Sequence, residues 1–371
     1  MIAFKIARPI LMTAMRILSV VIYVLTILAA YGGHVNPDYL TLPSMMTLVL
    51  PYFAILTFLL IIFWAFCRKI FFTALGVGTI FLCLSPLSQA VPLGMRESPS
   101  ENAKTFKIIS WNVLHTEDVR FPDYPGNRAL EYMINSDADI ICLAEMRNFS
   151  LKEMHNASEA LRDSLFNAYP YRDGSNWTDI KILSKYPVEC IWPPEMKSYR
   201  RIPYNFFKIN FPDNRTLTIG MVHLYSYDLT EEERQVVTEI NSMETAKTSV
   251  KEFKGSILSK MRKAFRNRAE EAKELRNYIN TFPENEPLIV CGDFNDVPAS
   301  WTYNLLRGDD MRDAYSETNI GPAFTYNLHR FYFHIDQMLY RGALKALDLN
   351  VGKINSSDHY PLIGEFEFTN D

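Results

Sequence analysis

"LIVCGDFNDVP", Leu288–Pro298, decides how this chain is read. The apolar run Leu288-Ile289-Val290-Cys291 suits a strand buried on both faces, and it stops at Gly292. Asp293, Asn295 and Asp296 then follow in quick succession. Asp and Asn are common turn residues, and Gly292 and Pro298 punctuate a turn. The same side chains at the rigid end of a strand could instead grip a metal and a phosphate. Asp293 and Asn295 stand two apart, which on an extended strand end puts them on one side. Asp296 is offset and is left to the turn.

Other strand ends carry matching groups. Asn112 closes a strand in "IISWNVLH", Glu145 follows one in "DIICLAEMRN", and His223 lies near the end of one in "IGMVHLY". Asp336 stands in "HIDQMLY" and Asp358-His359 in "NSSDHYPLIGEF". Singly, each has a plain account: a cap, a rim carboxylate, a satisfied core histidine, a carboxylate at a bulge. Together they form a chemical kit. Carboxylate and amide oxygens suit a hard divalent cation such as Mg²⁺ or Mn²⁺. Two histidines, each able to pair with a carboxylate, suit proton transfer near neutral pH. No cysteine belongs to the set, which argues against a thiolate zinc site. The sequence holds neither a GxSxG elbow nor a P-loop.

Composition changes near residue 95. The only charges before it are Lys5, Arg8, Arg16, Asp38, Arg68 and Lys69. A span needs ~20 mainly apolar residues, and three uncharged stretches supply them. They predict transmembrane helices at about 10–31, 46–66 and 70–90. Basic residues at the N-terminus and at Arg68-Lys69 put both on the cytoplasmic side, and three crossings then place the rest outside the cytoplasm. Residues 1–95 are thus expected as an anchor, 96–105 as a linker and 106–371 as the catalytic part. The anchor holds five of the 38 basic and one of the 42 acidic side chains, so the remainder carries 33 against 41, a net of −8. An acidic domain is a poor general binder of polyanions, unless a local basic patch such as Lys260–Arg268 or Arg200-Arg201 overrules it. Of those, Lys260–Arg268 reads first as the solvated face of a surface helix within Thr230–Tyr278. Cys142 and Cys291 lie in strand-like runs and read as buried free thiols.

The order of motifs (WN, LxE, HL, GDFN, ID, SDH) resembles the endonuclease/exonuclease/phosphatase family, over residues 106–371, and within it the DNase I and neutral sphingomyelinase group. GDFND followed by SDHYP is the specific part. The resemblance implies an α/β fold: a four-layer α/β/β/α sandwich, here preceded by three transmembrane helices, with the site at one edge of the paired sheets. It implies divalent-metal-dependent hydrolysis of a phosphate ester, with Mg²⁺ (or Mn²⁺) as cofactor. By position it makes Glu145 the main metal ligand, with Asn112 beside it and Asp358 as an additional metal-site or water-orienting carboxylate. Asp293 would orient or deprotonate the attacking water, and Asn295 would bind phosphoryl oxygens. His359 would be the general base, oriented by Asp336, and His223 would stabilise or protonate the leaving oxygen. Three departures bear on substrate: Ala144 where Gln is common, His334 where Arg or Lys is common, and Thr178-Asp179 ahead of "IKILSKYPV".

The reading is a membrane-tethered, extracytoplasmic phosphoesterase, an integral multi-pass protein and most simply a phosphodiesterase. Its partners would be the bilayer and a phosphate-ester substrate, a lipid head group or a nucleic acid; no protein partner is evident. The alternatives are a nuclease acting on extracellular nucleic acid and a catalytically silent binding module of the same fold.

Overall fold

The computed structural model describes residues 2–118, 120–174, 178–191, 202–227, 249–328 and 332–369. The basic pair Arg200-Arg201 and the stretch 230–248 of the expected surface helix lie outside these residues. The chain divides into two compact units, residues 1–91 with 297–304, and residues 92–296 with 305–371.

In the first unit, α1 (Ile2–Tyr31), α2 (Thr41–Met46), α3 (Leu50–Phe66), α4 (Ile70–Leu82) and α5 (Leu84–Ala90) follow one another. Two segments, Pro9–His34 and Thr41–Phe66, are long and apolar enough to cross a membrane. The third expected span differs: α4 and α5 are bent by 63° about Cys83. Pro86 supplies a reason, because it has no N–H to give Leu82 and its ring crowds that carbonyl. The 13 residues of α4 rise only about 20 Å, short of the ~30 Å hydrocarbon core. Among the described residues, two helices, or three if the bent pair counts as one, are therefore long and apolar enough to cross. Outward residues such as Ile17, Phe58 and Phe71 are exposed and apolar, as lipid requires and water does not. Inside, Trp64 Nε1 donates to Ser19 Oγ (2.8 Å) and the Thr26 and Thr57 hydroxyls meet at 2.8 Å, so the buried polar groups between helices are satisfied.

The second unit is built on two six-stranded sheets. The first joins β1 (Thr105–Asn112), β2 (Ile140–Ala144), β3 (Tyr171–Asp173), β4 (Lys181–Ser184), β11 (Leu344–Val351) and β12 (Leu362–Phe368), in the order β11-β12-β1-β2-β4-β3. The second joins β5 (Val188–Ile191), β6 (Tyr204–Asn210), β7 (Thr216–His223), β8 (Leu288–Asp293), β9 (Arg312–Asp313) and β10 (Asp336–Arg341), in the order β5-β6-β7-β8-β10-β9. Each sheet has one parallel pair, β1–β2 and β7–β8, among antiparallel neighbours. The inner faces meet in one core, with Phe106, Ile108, Ile140 and Cys142 from one sheet against Ile219, Met221, Ile289 and Cys291 from the other. The alternate residues Ile109, Trp111, Ile141 and Leu143 face away and pack with Leu130 and Met133 of α6 (Arg128–Asn135) and Leu165 of α7 (Glu159–Ala168). A strand buried on both faces reads as a near-continuous apolar run, as in Ile140–Ala144 and Leu288–Cys291. On the second sheet, Phe206 meets Tyr278 of α8 (Ser249–Ile279) edge-on and stacks with Phe282 just beyond it.

Residues 92–104, expected largely as a linker, are docked. Gly94 N donates to Asn319 O, Glu97 N to Leu347 O and Ser100 N to Glu367 Oε2. The backbone of this polar stretch finds acceptors along the unit, which its composition does not reveal. Cys142 and Cys291 are buried and free, as expected.

Candidate active site

The two parallel pairs end at the same edge. In the first sheet Asn112 pairs in register with Ala144, and Glu145 follows. In the second, His223 pairs with Asp293, and Asp293 with Asp336. These three form one row across β7, β8 and β10, and neighbouring strands lie only ~4.8 Å apart. Gly292 makes that row possible. Its φ is +134°, and a Cβ there would lie 2.0 Å from Val222 O, so only glycine lets β8 approach β7 this closely.

Six of the side chains singled out in the sequence, those of Asn112, Glu145, His223, Asp293, Asp336 and His359, converge here. Asn112, 1% exposed, donates through Nδ2 to Glu145 Oε1 (2.9 Å) and Asp293 Oδ2 (3.2 Å), while its Oδ1 accepts from Leu114 N. It thus joins the two sheets as a donor between two carboxylates. Beyond it, Leu114, His115 and Thr116 all have positive φ, as does Glu145. Such backbone is costly for non-glycine residues and concentrates at functional sites.

The two histidines are held alike. His359 Nδ1 lies 2.8 Å from Asp336 Oδ2, and its Nε2 points to Asp293 Oδ2 at 3.7 Å. His223 Nδ1 lies 2.9 Å from Asp179 Oδ2, and its Nε2 faces Glu145 Oε1 at 3.5 Å. In each pair the carboxylate on Nδ1 fixes the ring and leaves Nε2 for chemistry. Burial alone would push His359 down, but the charges of Asp336 and Asp293 hold it well above its ordinary value. Burial pushes Asp293 up to about 6, with the Asp336 charge adding and His359 opposing. Both shifts are of the kind that accompany proton-transfer sites.

Asp179 is the site residue that sequence reasoning passed over. It drew notice only as a departure ahead of "IKILSKYPV", and its role emerges only when that loop meets β7. Two further expectations change. Asn295 does not continue an extended strand: its φ is 51°, and its Nδ2 donates to Leu224 O at 3.0 Å. The left-handed turn, not strand alternation, aims it. Asp296 is no plain turn residue either; it is 1% exposed and lies 3.3 Å from Arg268 Nη1. Asp358 sits beside the set, accepting from Ser357 Oγ at 3.3 Å while that hydroxyl donates to Asn112 O at 2.8 Å.

The donors suit a hard cation. Asn112 Nδ2 brings the carboxylates of Glu145 and Asp293 together, and Asp293, Asp336 and His359 each offer a ligand atom within 4.8 Å of the others. Glu145 keeps 24% of its side chain exposed, so among these carboxylates it is the one open to an incoming ion.

A family model described as "Endonuclease/Exonuclease/phosphatase family" matches residues 109–359. The chain belongs to that family. It is accordingly a hydrolase acting on phosphate ester bonds. A second model, described as a domain of unknown function (DUF8431), matches residues 12–90. No curated protein matches the chain. Similar solved structures include an endonuclease/exonuclease/phosphatase family protein from Bacteroides thetaiotaomicron (13% identity, 72% of this chain and 100% of that one, TM-score 0.45). Others are the human Nocturnin catalytic domain with bound sulfate (16%, 71% and 95%, 0.43) and Sphingomyelinase C from Streptomyces griseocarneus (14%, 72% and 100%, 0.38).

Proposed function

We propose that this protein is a membrane-tethered, divalent-metal-dependent phosphodiesterase whose site, at the edge of a four-layer α/β/β/α sandwich, faces away from the cytoplasm. The observation that carries it is the convergence of two carboxylate-held histidines on opposite sides of Asn112, Glu145 and Asp293. One histidine takes a proton while the other gives one, as hydrolysis through water requires.

The residues divide the work. Glu145, with Asn112 and Asp358 beside it, would hold Mg²⁺ or Mn²⁺. An ion held there would screen charge developing on phosphorus. His359 Nε2, fixed by Asp336, accepts the proton of the attacking water, and Asp293 orients that water. Asn295 has a second amide hydrogen to donate to a phosphoryl oxygen. His223, fixed by Asp179, protonates the leaving oxygen.

The full chain in detergent, given Mg²⁺ or Mn²⁺ and a generic phosphodiester, tests this. Turnover that chelation abolishes and His359→Ala removes is expected; turnover that survives both overturns the reading. Orientation is tested separately. Three crossings place a C-terminal reporter outside the cytoplasm, whereas a cytoplasmic reporter would show that α4 and α5 do not cross.

A further inference from the structure

Arg268 is out of character with its surroundings. The buried face of α8 carries Ala264, Phe265, Ala269, Ala272, Leu275 and Ile279 at helical spacing, and Arg268 stands within that stripe with no exposed surface. The expected solvated basic face therefore does not extend to this residue. A buried guanidinium persists only where it is paired and bonded, and its partners are specific. Nε donates to Tyr225 O (3.0 Å), and Nη1 lies 3.3 Å from Asp296 Oδ2 and 3.5 Å from the Tyr227 hydroxyl. The guanidinium also lies 4.7 Å from the centroid of the Tyr227 ring. From the next turn, Glu271 Oε2 accepts from Tyr225 N at 2.7 Å. One helix thus holds Tyr225 by both of its backbone groups.

Those anchor points are the exits of β7 and β8. Tyr225 follows His223 and Leu224, and Asp296 follows Asp293 and Asn295. The exits are laced to each other as well: Leu224 N donates to Asp293 O (2.9 Å) and Asn295 Nδ2 to Leu224 O (3.0 Å). We propose that Arg268 is a positioning residue, which fixes His223 relative to Asp293 and Asn295 through Tyr225 and Asp296 without touching substrate. The assignment rests on the phosphodiesterase reading above. Its chemistry explains the residue type. The rigid fork of arginine bonds two separated acceptors at once, which a lysine ammonium does not reproduce. An aliphatic side chain would suit the stripe but would take the guanidinium's N–H donors away from Asp296 and Tyr225 O.

The test compares wild type, Arg268→Lys, Asp296→Asn, the Arg268→Met/Asp296→Asn pair and His359→Ala, as full chains in detergent. Misplacing reacting groups by ~1 Å costs about 100-fold. Arg268→Lys and Asp296→Asn are therefore expected to lose roughly 10- to 100-fold in kcat per folded molecule with KM within about twofold, alongside a lower melting temperature from the broken buried pair. The double variant is expected to be no worse than the weaker single one, because both break one linkage. Wild-type kcat in Arg268→Lys and Asp296→Asn, or losses that only track the fraction folded, would overturn the positioning role while leaving the site intact. Wild type no more active than His359→Ala would overturn the functional reading itself, and the positioning role with it.

Discussion

The two sheets deliver to the same edge by the same device, and they deliver different chemistry. Each ends its single parallel pair there, Asn112 and Glu145 from β1 and β2, His223 and Asp293 from β7 and β8. Each adds residues at the start of an antiparallel neighbour, Asp358-His359 before β12 and Asp336 at β10. Yet the first sheet presents a carboxylate with 24% of its side chain exposed, and the second a carboxylate only 2% exposed. Exposure suits an ion arriving from water. Burial suits a carboxylate whose proton affinity must rise toward neutrality, as that of Asp293 does. The lesson is that strand topology fixes where functional groups collect, while the depth of each within the edge fixes what it can do.

The comparison can be broken by substitution. The largest loss is expected from His359→Ala or Asp293→Ala, which remove the proposed base and the carboxylate proposed to orient its water; general acid–base catalysis contributes roughly 10²- to 10⁴-fold. A phosphodiesterase assay retaining more than a tenth of wild-type kcat would sink that division. Glu145→Gln should cut activity less in saturating Mg²⁺ and raise the Mg²⁺ concentration needed for half-maximal rate. An unchanged metal dependence would remove Glu145 from the exposed, ion-binding role. Asp179→Asn should cost roughly 10- to 100-fold, the scale on which a lost orienting partner of a site histidine is felt. Wild-type rate in that variant would mean His223 needs no partner.

The smallest effect concerns Lys181 on β4, which is 1% exposed and donates to Thr178 O at 2.6 Å. Burial pushes its amine from 10.5 down to about 8, with Asp179 and Asp173 opposing. Because the folded value lies below the unfolded one, the fold penalises the protonated amine. That penalty is full below pH 8 and fades as pH rises toward 10.5. The melting temperature of wild type should therefore gain on that of Lys181→Met between pH 7 and pH 10. A constant difference over that range would contradict it.

Much of the second unit was legible in the chain. The runs at Phe106–Val113, Leu217–Leu224 and Leu288–Cys291 lie within a residue or two of β1, β7 and β8, because strands buried on both faces are mainly apolar. The short β3, β5 and β9 escaped notice, since two to four residues carry no periodicity, and so did the eight-residue β11. Whether 70–90 forms a third span stays open for a related reason: hydropathy is blind to the 63° bend between α4 and α5, where Pro86 acts through a missing hydrogen bond.

The sequence by itself singled out Asn112, Glu145, His223, Asp293, Asp336 and His359, which lie at or within a few residues of strand ends, and local rules of strand and turn suffice to find strand ends. Only the tertiary structure decided how they are used. Asn112 became a donor bridging two sheets, Asp179 became the partner of His223, and Asp296 turned from a turn residue into the counter-charge of Arg268. Hydrogen bonds and ion pairs between residues distant in sequence depend on how sheets and helices meet, and that meeting leaves no mark on either partner's neighbours along the chain.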